Sequence, residues 1–226
     1  MTLDTLFPPG VVVETATDAD ADAPLHEDEA ACVARAVPHR VAEFRQGRAA
    51  ARRALGRLGF PPTAIPAGVD RAPQWPAGIV GSIAHTEGRC VAALAAADRI
   101  VSIGFDVERA RPLPARIRAL VCTVDELAWA DARTDDAPWH LLTFVAKEAF
   151  YKAWYPLTRT FIGFHDVALR FDPAGVFVPV AAGGHCTAKM LTDYAGRWAR
   201  DEEFVYAAAW ITAAPPDRAS SAPTSG

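Results

Sequence analysis

Hydrophobic and polar positions change period several times along the chain, and each change marks an expected element. Between Pro38 and Leu58 the residues Val41, Phe44, Leu55 and Leu58 recur at about 100° per residue, with Arg45, Arg48 and Arg52 along the edge of their stripe. This spacing predicts a helix, ended by Gly59 and Pro61-Pro62. Residues 70–96 alternate short apolar runs with turn residues, which reads as strands and a loop carrying Ser82 and His85, with a short helix near the end. IVSIGFDVE is the clearest strand. Helices are expected around Pro114 to Val121 and Asp125 to Ala132, the second opened by the capping box Thr123-x-x-Glu126. A further helix covers Phe144 to Leu157, followed by the strand-like runs VALRFD, VFVPV and FVYAAAWI. Residues 14–30 are acidic, alanine-rich and aperiodic, and read as a surface loop or a loosely held arm. The tail AAPPDRASSAPTSG has the Pro/Ser/Ala composition of a disordered segment.

Composition narrows the classes. A chain of 226 residues accommodates one large domain or two small ones, and 51% hydrophobic with 22% charged residues is ordinary for a soluble globular protein. No apolar run approaches the roughly 20 residues that span a bilayer, so no membrane association is expected. The start of the chain lacks the order of a secretory signal, and the expected location is cytoplasmic. Cys32, Cys90, Cys122 and Cys186 are far apart and form no CxxC pair, which indicates reduced thiols rather than a zinc site or disulfides. The net charge of -4 argues against a general nucleic-acid binder, because a phosphate backbone demands an extended basic face.

Two segments carry candidate chemistry. In Ile103 to Glu108 the side chains alternate, so Ile103, Phe105 and Val107 face a core while Gly104, Asp106 and Glu108 face the other way. Two carboxylates then project together, near enough to share a hard cation, with Gly104 leaving space for a ligand beside them; two solvated acids on an exposed face fit the same pattern. The second segment holds two of the three lysines of a chain that has twenty arginines. Helical spacing puts Lys147, Glu148, Tyr151, Lys152 and Tyr155 on one face and Ala146, Ala149, Phe150, Ala153 and Trp154 on the other. A Glu148–Lys152 pair at i,i+4 would be served as well by arginine, so the lysines point to compact ammonium charges, for instance on a phosphate.

GSIAHTEG (Gly81 to Gly88), IGFDVE (Ile103 to Glu108) and FVAKEAFYKAWYPLT (Phe144 to Thr158), preceded by EFRQGRAAARRALGRLG (Glu43 to Gly59), together resemble the 4'-phosphopantetheinyl transferases. The resemblance covers roughly residues 24 to 212 and is strongest to the group serving siderophore, non-ribosomal peptide and polyketide assembly lines. It implies an α+β fold, a pseudo-dimer of two similar subdomains with coenzyme A between them. The subdomains would span residues 1–101, binding the phosphoadenosine end, and 102–213, carrying the magnesium and phosphate site and the carrier docking surface, with a tail at 214–226.

The resemblance also assigns roles. Asp106, Glu108 and Glu148 would hold Mg²⁺, and Lys147 and Lys152 would contact the phosphates of coenzyme A. Ser82 lies in the GS motif of the coenzyme A site, His85 would bind the 3'-phosphate, and Arg48 and Arg52 would hold the phosphoadenosine end. Arg71 and the Gln74-Trp75-Pro76 segment match the nucleotide pocket more loosely. The implied reaction is attack by the serine of an apo acyl or peptidyl carrier protein on the phosphorus bearing pantetheine, with 3',5'-ADP leaving. Glu148 is the candidate base, or a pure metal ligand, and Lys152 stabilises developing charge. Arg109, Arg111, Arg116 and Arg118 offer complementary charge to an acidic carrier. A monomer is expected. A non-catalytic coenzyme A or nucleotide sensor, or a coenzyme A-dependent acyltransferase, would use some of the same residues, but the acyltransferase has no need of three acids around magnesium.

Overall fold

In the computed structural model, which describes residues 3–172, 174–184 and 186–213, the chain forms two antiparallel sheets, each carrying a 20-residue helix. The Pro/Ser/Ala-rich tail beyond residue 213 lies outside the described residues. The first half contains β1 (Val11–Thr15), α1 (Glu27–Val33), α2 (Pro38–Arg57), β2 (Ile79–Thr86) and β3 (Arg89–Ala96). β4 (Ile100–Arg109) opens the second half, followed by α3 (Ala115–Val121), α4 (Val124–Asp131) and α5 (Trp139–Thr158). β5 (Val167–Asp172), β6 (Val176–Ala181), α6 (Ala188–Leu191), β7 (Ala195–Arg200) and β8 (Phe204–Thr212) complete it. Strand order is β1-β3-β2 in one sheet and β4-β8-β7-β6-β5 in the other.

Three apolar cores hold these layers. Ala50, Ala51, Ala54 and Leu55 of α2 pack on Ile79, Ala92 and Leu94 of the first sheet. Ala146, Ala149, Phe150, Ala153 and Trp154 of α5, the face that helical spacing marks as apolar, pack with Val205, Ala207 and Ala209 of β8. Between the sheets, Ala84, Val91 and Ala93 meet Ile103, Phe105, Val107 and Tyr206.

β4 is therefore covered on both faces, and this changes the reading of Gly104. A Cβ built there would lie 1.8 Å from Ala149 O and 2.6 Å from Ala153 N. The missing side chain admits the backbone of α5, not a ligand. β3 likewise replaces the short helix expected near residue 96: Val91 to Ala95 are all buried, between α2 and the second sheet, so their apolar run shows no strand alternation. β7 was not foreseen at all.

The acidic stretch 14–30 is not a loosely held arm. Asp20 receives Arg53 Nη1 at 2.9 Å and Nη2 at 3.0 Å, and Glu29 in α1 is fully buried. Both Glu29 oxygens accept from Arg52 Nη1 at 2.8 Å, and they also take the backbone N–H of Ile65 at 2.9 Å and of His26 at 3.0 Å. Its acids neutralise the arginine side of α2, which is why the segment needed no apolar period of its own.

Candidate functional site

Two edge strands bring the separated motifs together. β2 is one outer strand of the first sheet and β4 one outer strand of the second. They run side by side in the same direction, joined by side chains instead of a ladder. Ser82 Oγ accepts the Phe105 N–H at 3.0 Å, Thr86 Oγ1 donates to Glu108 Oε2 at 2.9 Å, and Arg109 Nε donates to Glu87 O at 2.9 Å. This seam aligns GSIAHTEG with FDVER. It also occupies the Ser82 hydroxyl, which is buried and committed to the Phe105 backbone, although Ser82 itself lies on the wall of the neighbouring cleft.

A cleft of about 1020 Å³ follows the seam, bounded by the 68–75 turn, β2 and the exposed face of α5, including Glu148, Tyr151 and Lys152. Asp106 Oδ1 lies 2.7 Å from Lys152 Nζ, which also donates to Phe105 O at 3.2 Å. Burial pushes the Glu148 carboxyl above the usual range; Asp106 and Glu108 add to the shift, and Lys152 opposes it. Glu108 is also raised by burial, against the hydrogen bond from Thr86 and with the Asp106 charge. The three carboxylates thus share one electrostatic neighbourhood. Among the described residues no three His, Cys, Asp or Glu side chains are close enough to hold an ion unaided, so a metal here would need oxygens from water or a substrate.

At the other end of this cluster the Arg40 guanidinium donates to His85 Nε2, and Arg40 Nη1 lies 3.0 Å from Glu43 Oε2. Burial holds His85 below the usual imidazole range; Glu43 and Asp106 pull the other way, while Arg40 and Lys152 reinforce the shift. A neutral ring between two cations is set to gain a proton when an anion arrives.

Arg48, Arg52 and Lys147 are placed differently from expectation. Arg48 is buried, donates Nε to Ile65 O at 2.8 Å and stacks 3.8 Å over the Phe44 ring. Burial takes its guanidinium down to about 10. Arg52 is spent on Glu29 and on Pro24 O at 2.9 Å. Both lie further into the α2 packing than a stripe drawn through Val41 and Leu58 implied, because the small residues Gly47, Ala50, Ala51 and Ala54 centre the buried face. Lys147 is 5% exposed, its ammonium enclosed by Glu126, Val121 O and Phe164 O. None of the three reaches the cleft with a free cation. Arg71 does border it, at a turn where its φ is 66°.

Sequence reasoning missed Arg40, Thr86 and an apolar recess. Arg40 was legible as the residue one turn before Phe44, on the same side of α2. Thr86 follows His85 directly but gained meaning only from Glu108 across the seam. The recess, about 150 Å³, lies between α5 and Phe161 to Phe164 and shares Glu148, Tyr151 and Phe161 with the cleft.

Comparison with known proteins agrees with the motif pattern. Residues 28–95 match the 4'-phosphopantetheinyl transferase N-terminal domain, and residues 102–209 match the 4'-phosphopantetheinyl transferase superfamily. The 4'-phosphopantetheinyl transferase Svp of Streptomyces mobaraensis is 42% identical over 222 residues, 92% of this chain and 88% of Svp. Npt of Nocardia iowensis is 39% identical over 75% of this chain and 77% of its own, and PptT of Mycobacterium tuberculosis is 36% identical over 90% and 93%. A holo-(acyl-carrier-protein) synthase from Bacillus anthracis, solved in complex with CoA (3',5'-ADP), aligns at 20% identity and a TM-score of 0.39 over 51% of this chain and 99% of its own. With both halves matched and relatives alike along nearly the whole chain, the protein belongs to the 4'-phosphopantetheinyl transferase family and is an enzyme of that class.

Proposed function

We propose that this enzyme transfers the 4'-phosphopantetheine group of coenzyme A to a serine of an apo acyl or peptidyl carrier protein, Mg²⁺-dependently, releasing 3',5'-ADP. The observation that carries this reading is the seam itself, which brings Arg40 and the neutral His85 close to Lys152 and three carboxylates, with Lys152 and Glu148 lining the cleft. A ligand with a phosphate at one end, a pyrophosphate in the middle and an apolar arm matches that order. Arg40, His85 and Arg71 take the phosphoadenosine end, Lys152 the pyrophosphate, and the recess beside Glu148 the pantetheine arm.

Asp106, Glu108 and Glu148 are hard oxygen donors of the kind Mg²⁺ shares with phosphate, and these residues would hold it. When bound, the ion would supply neutralisation of the charge that develops on the 5'-phosphate of the departing 3',5'-ADP. Lys152 leaves Asp106 for the phosphates and carries the remaining charge. A Glu148 carboxylate oxygen receives the proton of the attacking serine, a role that its place on the wall of the cleft favours.

For docking, Arg109 and Arg111 are already paired with the Glu87 carboxylate, at 3.7 Å and 3.2 Å, so the basic contribution falls to Arg116 and Arg118 on α3, the latter with Nε on Leu113 O at 2.7 Å and no acid beside it among the described ion pairs. Reversing both charges should raise the KM for carrier and leave the KM for coenzyme A unchanged; an unaltered carrier KM removes this surface from docking. The siderophore, non-ribosomal peptide and polyketide carriers are the proposed substrates.

The reaction is tested by intact mass of an apo carrier protein after incubation with the enzyme, coenzyme A and Mg²⁺. One added phosphopantetheine with wild type, and none with Asp106→Ala, is the expected result. Coenzyme A binding without mass gain on any of several carriers would overturn the proposal in favour of a sensor.

A further inference from the structure

Lys147 and Glu126 form a buried ion pair that no step above uses. Lys147 Nζ donates to Glu126 Oε2 at 2.7 Å, to Val121 O at 2.9 Å and to Phe164 O at 2.6 Å, so all three N–H bonds are engaged. Glu126 is filled as completely: Oε2 also accepts the Thr123 N–H at 2.7 Å, and Oε1 accepts the Leu169 N–H at 2.7 Å. The pair therefore ties the end of α3, the start of α4 and β5 to α5 at one point.

Its tie to Phe164 bears on the recess. Residues 159–166 contain no helix or strand, so their backbone groups find partners one by one, in turns and from side chains, instead of in a ladder. Phe161 to Phe164 nevertheless form one wall of the recess, and α5 with Glu148 forms the other. This wall is fastened to α5 at two carbonyls: Thr160 O by Trp154 Nε1 at 3.1 Å, and Phe164 O by Lys147. A buried ion pair is a poor means of adding stability, since an apolar pair of similar size does as well. It is a good means of fixing geometry when every donor and acceptor is matched. The three acceptors converge on a single nitrogen, which suits a compact ammonium better than the flat fork of a guanidinium and fits a lysine here in an arginine-rich chain.

We infer that Lys147 and Glu126 are positioning residues that set the width of the recess and thereby its fit to the pantetheine arm; this rests on the reading that the arm occupies the recess. Lys147 acts on substrate selection through the wall and not by touching phosphate.

The test compares binding of coenzyme A and of adenosine 3'-phosphate 5'-diphosphate, which keeps the pyrophosphate and lacks only the arm, by calorimetry on the full chain. Wild type should bind coenzyme A more tightly than this armless nucleotide. The charge-free double variant Lys147→Met/Glu126→Gln should keep its affinity for the armless nucleotide within about twofold and lose about tenfold or more of the preference for coenzyme A. Lys147→Arg, which leaves Glu126 paired, should show the same selective loss and serves if the double variant does not fold. Equal weakening of both ligands, or an unchanged preference, overturns the inference. A wild type with no preference for coenzyme A would instead overturn the placement of the arm.

Discussion

Lys147 and Lys152 stand five residues apart on one helix and face opposite electrostatic problems. Lys147 is enclosed and neutralised by Glu126, although burial draws its ammonium below the ordinary lysine range. Lys147→Met alone would leave Glu126 buried and unpaired, and should cost about 3–5 kcal/mol in denaturant unfolding. Lys152 is partly exposed, with 31% of its side chain accessible, and its pair with Asp106 can be exchanged for a ligand. Lys152→Met should lower kcat by about 10²–10³-fold and, because it leaves the buried Asp106 without its partner, should cost about 1–3 kcal/mol of stability. His85 adds a pH prediction. Its folded pKa lies below the ordinary imidazole value, so the free ring is neutral near pH 7, and a phosphate raises that pKa by stabilising the charged form. Coenzyme A binding should take up a proton and tighten as pH falls toward 6. Calorimetry in buffers of different ionisation enthalpy measures this uptake, which His85→Gln should abolish.

At the scale of elements, α2 shows how a basic helix is built into a protein with net negative charge. Burial alone would raise the pKa of Glu29, but the Ile65 and His26 N–H groups and the Arg52 charge outweigh it and hold the carboxylate below its ordinary range. A depressed carboxylate contributes stability that is present above its unfolded pKa and is lost as pH falls through the folded value. Thermal unfolding should therefore steepen in its pH dependence below about pH 4.5, and Glu29→Gln should flatten that acid limb while lowering stability at neutral pH. The packing of β4 on α5 is as demanding. Gly104→Ala places a methyl against Ala149 O and should cost about 3 kcal/mol by forcing helix and strand apart, read as a lowered unfolding midpoint. Most elements were legible from period and caps: α2, α4 with its Thr123–Glu126 box, the β4 strand and the apolar face of α5 all lie where local sequence places them. β3 and the 14–30 segment were not, because one is buried on both faces and the other is held by charge.

The molecule as a whole is joined by a core that draws on both sheets and by the seam between β2 and β4. Neither sheet can separate without exposing Ala84, Val91, Phe105 and Val107. Unfolding should accordingly be a single transition by fluorescence and circular dichroism alike. Ser82→Ala strands the Phe105 N–H inside the seam and should move that one transition by about 1–3 kcal/mol. Two separate transitions would show the seam to be weaker than its packing indicates.

By itself the sequence determined the family, the helix and strand periods, and the DxE and KExxxK residues, since these depend on local spacing and residue type. Only the tertiary structure decided which charges are free. Arg48, Arg52 and Lys147 are consumed by Ile65, Glu29 and Glu126, partners 17 to 23 residues away, while Lys152 and Arg71 border the cleft and Arg40 reaches across to His85. A cation's availability depends on what lies within about 3 Å of it, and for these residues that neighbour comes from a different element of the fold.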